Sequence, residues 1–71
     1  MNKVSPGKLH LSKWTAVNPL NREKHFIVSK ITYNEDTTVE LCVLEAIHSG
    51  REHFIDWRDL KTAEKWLQGW K

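Results

Sequence analysis

Four tryptophans, Trp14, Trp57, Trp66 and Trp70, stand in a chain of 71 residues, where average composition supplies about one. Each indole offers roughly 150–250 Å² of mostly apolar surface and one N–H that needs an acceptor. A chain this short has one core and little apolar material to fill it. The tryptophans are therefore either core filler or an aromatic surface for a ligand. The charged share, 28%, and the hydrophobic share, 39%, suit a globular domain rather than a disordered or membrane chain. No apolar stretch approaches the roughly 20 residues that span a bilayer.

Residues 1–7 carry Pro6-Gly7 and little apolar content, and read as a flexible N-terminal tail before one domain over residues 8–71. No apolar run follows the first charges as a secretory signal requires. The single Cys42 forms no internal disulfide. Together these point to the reducing cytoplasm. Cys42 lies within Leu41-Cys42-Val43-Leu44 and reads as a small buried hydrophobe. The net charge of +2 is unevenly placed: residues 1–30 hold six Lys and Arg against one Glu, and residues 31–71 hold five against eight Asp and Glu. A basic first half suits an anionic partner, or pairs with the acidic second half inside the fold.

Residues 8–17 begin with alternation at Leu9 and Leu11, and Trp14, Thr15 and Val17 favour extended backbone. Asn18-Pro19-Leu20-Asn21 breaks that run as a turn. Residues 24–33, 38–48 and 51–56 read as three strands joined by a polar turn at 34–37 and a two-residue turn at Ser49-Gly50. These loop lengths set Leu44 opposite Ile55 and opposite Ile27, and place Ile27, Ile31, Cys42, Leu44, Ala46, Ile55 and Trp57 on one face. Phe26, Val28, Leu41, Val43 and Phe54 fall on the other. From Trp57 the apolar period becomes three to four, predicting a helical turn at 57–60, a short helix at about 62–68 and a stop at Gly69, with Asp56 and Thr62 as N-caps. The expected fold is α+β: an antiparallel sheet of three to four strands with a short C-terminal helix, or the same sheet rolled into an SH3-like barrel.

Several stretches carry a resemblance: Ser12-Lys13-Trp14-Thr15-Ala16-Val17, Glu23-Lys24-His25-Phe26, Val43-Leu44-Glu45-Ala46, Trp57-Arg58 with Leu60, and Trp66-Leu67-Gln68-Gly69-Trp70. Over residues 8–71 the chain resembles the small tryptophan-rich conserved hypothetical proteins of bacteria. That family is a domain of unknown function, so the resemblance implies a small bacterial protein and no catalytic or binding role.

Among chemistry-bearing residues, Cys42 and Ser49 are nucleophiles by type alone. No phosphate-cradling glycine loop or nucleophile elbow accompanies them, and the chain is not expected to be an enzyme. His10, His25, His48 and His53 lack the paired spacing of a zinc site. No metal or cofactor is expected, although His25 and His53 are placed on either side of Ala46. The candidate binding surface is Lys13, Trp14, Arg58, Trp66 and Trp70, with the indoles supplying contact area and the cations polar or anion contacts. Its expected partner is a protein or peptide, or a second copy joined through the tryptophans. The alternative is RNA or single-stranded DNA, stacked on tryptophan with Lys and Arg on phosphates. No membrane partner is expected.

Overall fold

The structure is a computed structural model that describes residues 2–71. After a 3-10 turn at Pro6–Lys8 come β1 (Lys13–Leu20), β2 (Glu23–Tyr33), β3 (Val39–Ala46) and β4 (Glu52–Ile55), then a second 3-10 turn at Trp57–Lys61 and β5 (Trp66–Gln68). The strands form one antiparallel sheet in the order β4-β3-β2-β1-β5. Asn21 and Arg22 both take positive φ, 54° and 65°, the two-residue turn that matches strand twist, so Leu20 pairs with Glu23. β1 therefore continues through Asn18 and Pro19 instead of turning there. The ladder with β2 is irregular between Thr15 and Leu20, which tolerates the missing proline N–H.

The expected α+β fold with a C-terminal helix does not form; helical backbone is confined to the two 3-10 turns. The predicted turn at 57–60 is the second of these, capped by Asp56, whose Oδ1 accepts from the Arg58 N–H at 3.0 Å. The predicted helix at 62–68 is instead one tight turn followed by β5. The Thr62 carbonyl accepts from the N–H groups of Lys65 and Trp66, both at 3.0 Å. Trp66, Leu67 and Gln68 then pair with Ala16, Thr15 and Trp14. A seven-residue helix is marginal alone, whereas the strand satisfies the open edge of β1 and sets the Trp66 ring against Phe26.

Register decides the core. The β3–β4 loop spans residues 47–50, closed by the Ala46 N–H to Arg51 carbonyl bond at 2.9 Å, so Leu44 faces His53 and Cys42 faces Ile55. This two-residue shift from the expected pairing preserves the faces. On β2 the shift is one residue: Val28, not Ile27, faces Leu44. Phe26 and Val28 are therefore core and Ile27 turns outward. A bulge at Ser29, between the Val28–Leu44 and Lys30–Val43 pairs, restores Ile31 to the core side. Trp14, Phe26, Val28, Cys42, Leu44 and Ala46 fill the inner face, covered by Leu9 and Leu60, with Trp57 and Trp66 half-buried against them.

Residues 2–7, which belong to the stretch 1–7 expected as a flexible tail, make specific contacts. Asn2 donates its backbone N–H to Lys61 C=O and its side-chain amide to Leu60 and Trp66 C=O. Gln68 Nε2 donates to Lys3 C=O and Tyr33 OH to Pro6 C=O. No helix among the described residues is long and apolar enough to cross a membrane.

Candidate functional site

The five residues expected to share a surface lie in different places. Trp14 is core, 3% exposed, with its N–H given to Ser12 Oγ at 2.8 Å; it offers no ring to a ligand. Lys13 and Trp70 do meet, on the outer face of the sheet. Gly69, at φ 80°, turns the chain after β5 back across β1. Thr15 Oγ1 donates to Gly69 C=O at 2.7 Å and accepts from the Lys71 N–H at 2.9 Å. Trp70 then lies with its N–H on Phe26 C=O (2.9 Å), its ring 6.1 Å from His25 and Lys13 Nζ 4.7 Å from the ring centroid. Trp70 keeps 43% of its surface exposed. Arg58 sits apart on the second 3-10 turn, where it and Lys61 flank the Trp57 ring at 5.5 and 4.9 Å.

Trp66 belongs to a third place, the inner face. There the two edge strands of the sheet, β4 and β5, flank a groove of about 320 Å³. Its floor is Phe26 and Leu44. Trp66, Lys65 and Ala16 form the β5 side, and His53 and Ile55 the β4 side. Asn18 and Leu20 stand at the rim, Leu20 with 76% of its surface in solvent. Trp66 meets Phe26 edge-on at 5.3 Å, and His53 meets the same ring at 5.8 Å.

Glu23 closes one end of the groove with a side chain only 5% exposed. Ser49 Oγ donates to its Oε2 at 2.5 Å, and Oε1 has His53 Nε2 at 3.3 Å and Arg51 Nη1 at 3.9 Å. The Ser49 hydrogen bond first, then the Arg51 and His53 charges, hold the Glu23 carboxyl below the usual carboxylate range against the opposing pull of burial. His53 Nε2 is buried and lies off the hydrogen-bond line to Glu23, so it has no hydrogen-bond partner.

Ser49 bonds directly to the carboxylate, with the imidazole on the far oxygen rather than between them; this is not the serine–imidazole–carboxylate chain of a hydrolase. Burial, with Asp56 nearby, pushes the Cys42 thiol up to about 11, so it stays protonated at neutral pH. His25 and His53, expected on one face, lie on opposite faces because of the β2 shift. Among the described residues no three His, Cys, Asp or Glu side chains converge as a metal site.

Fold and site together define a small tryptophan-rich antiparallel sheet protein with an apolar groove on its inner face. A family profile described as Tryptophan-rich protein (DUF2389) matches residues 12–71. The chain belongs to that family, whose function is unknown. No curated protein and no solved structure matches the chain.

Proposed function

We propose that this protein is a small cytoplasmic interaction module that seats a segment of another protein in the groove between β4 and β5. One observation carries the reading: the groove has aromatic and aliphatic walls, opens to solvent, and ends at a buried, charged Glu23. Apolar pockets with a few fixed polar groups are the usual form of a recognition site. Trp66 and Phe26 give contact area, Leu20 and Lys65 border the entrance, and the Glu23–His53 pair sets polarity at the closed end.

The test compares capture of lysate proteins by immobilised wild type and by Leu20→Asp, with and without nuclease. Leu20 is an exposed rim residue, so its substitution leaves the core intact. The expected result is a discrete protein retained by wild type, insensitive to nuclease and lost with Leu20→Asp. Equal capture by both proteins overturns the groove.

A second reading, RNA or single-stranded DNA binding, draws on the outer face. Arg22, Lys24, His25 and His48 line one shallow depression there, and Lys13 and Trp70 adjoin it through His25. This reading has less support: one side of the Trp70 ring is taken by Lys13, and Arg58 and Trp14 contribute nothing to that face. It requires capture that nuclease abolishes and binding that falls steeply with salt.

A further inference from the structure

We infer that the partner adds to this protein as an extended strand along β4, with alternating basic and large apolar residues. The inference rests on the groove reading above and names the chemistry of its occupant.

The first argument is the backbone. β4 is an edge strand. The Ala46–Arg51 bond fixes the antiparallel alternation: His53 and Ile55 turn their backbone groups to β3, and Glu52 and Phe54 turn theirs outward. Among the described residues no turn, loop or cap hydrogen bond reaches those outward groups. The opposite edge differs, because Asn2 and Lys3 already lie along β5. An open strand edge is a template for another strand.

The second argument is the two faces of that edge. His53 and Ile55 point into the groove, so partner residues opposite them are carried over Phe26, Leu44 and Trp66 and should be large and apolar. Glu52 and Phe54 point to the outer face, Phe54 with 73% of its surface exposed. Glu52 stands directly across from Glu45, a like-charge pair that costs stability, and neither forms an ion pair among the described residues. Asp56, four residues after Glu52, extends this acidic row, with one oxygen already 3.6 Å from Arg58 Nη1. Lys or Arg opposite this acidic row relieves the repulsion, and a cation over the exposed Phe54 ring gains further. The same row disfavours a second copy: symmetric pairing centred on Phe54 sets Glu52 against Asp56 of the other chain.

The probe is an eight-residue peptide alternating Lys and Phe, titrated into the 15N-labelled full chain, with a Glu–Phe peptide as counterpart. The expected result is slowed hydrogen exchange at the Glu52 and Phe54 amides, shifts at the Trp66 indole, and binding weakened about tenfold by Glu52→Lys. Glu52 is exposed, so that variant folds. Equal binding of the Glu–Phe peptide overturns the charge complementarity. Shifts at Trp66 without protection of Glu52 and Phe54 overturn strand addition while the groove reading stands. Failure of the Lys–Phe peptide to bind at millimolar concentration overturns strand addition alone, because the Leu20→Asp capture decides the groove independently.

Discussion

Thr15 holds the C-terminal segment to the sheet, and Thr15→Val measures that tie. The residue is 1% exposed, and its hydroxyl serves two backbone groups, donating to Gly69 C=O and accepting from the Lys71 N–H. Each such bond contributes about 0.5–1.5 kcal/mol net. Valine keeps the β-branched shape, so the packing change is small. Lys71 is at the exposed end of the chain and its freed N–H is rehydrated, whereas the half-buried Gly69 carbonyl is only partly so. The expected loss is about 1–2 kcal/mol in urea denaturation, or about 5–15 °C in Tm for a domain of this size. A second readout is local. Without the Thr15 tie, Trp70 loses the anchor that sets its N–H on Phe26 C=O, and its indole proton should exchange faster. Thr15→Ser retains the hydroxyl and should retain Trp70 protection even where loss of the methyl lowers stability. Unchanged stability and unchanged Trp70 exchange in Thr15→Val would refute the reasoning.

Leu60→Ala empties a fully buried position where the second 3-10 turn covers the sheet. It should cost about 2–5 kcal/mol, and a loss under about 0.5 kcal/mol in urea denaturation contradicts that placement. Glu23 is held ionised in the folded protein, so its contribution is present above its unfolded pKa and lost as pH falls through the lower folded value. The stability gap between wild type and Glu23→Gln should therefore be widest above about pH 5 and close on acidification; parallel pH curves contradict the network. The Cys42 thiol, buried and raised to about 11, should react with an aromatic disulfide reagent at pH 8 only as fast as the protein unfolds, and rapid labelling of the native state counts against it.

Strands β2, β3 and β4 are legible because β-branched and aromatic residues alternate between clear turn signals. Their faces are only partly so. The β3–β4 loop is two residues longer than the Ser49-Gly50 turn signal, which leaves each side chain on its own face. β2 lies one residue from the register its loop length suggests, which exchanges Ile27 for Phe26 and Val28; only the Ser29 bulge returns Ile31 to its expected side. No residue type announces a bulge at that serine. At the C-terminus, seven residues with apolar spacing of three and four fit a helix as readily as a turn and a strand. What selects the strand is the unpaired edge of β1, a tertiary fact. The meeting of Lys13 with Trp70 follows from residues the composition singles out. The Glu23–His53 meeting is not legible: Glu23 appears only within Glu23-Lys24-His25-Phe26 and His53 only beside His25, and the sheet register alone brings Ser49, Arg51 and His53 to Glu23.

The most direct measurement places a photo-activatable cross-linking residue at single positions in the protein inside living cells. Position 20 reports the groove rim, position 70 the outer aromatic face, and position 35 the distant β2–β3 turn. The groove reading requires a discrete protein adduct at position 20, absent at 35 and weaker at 70. Adducts to nucleic acid at position 70, with none at 20, would contradict it and move the functional surface to the opposite face of the sheet.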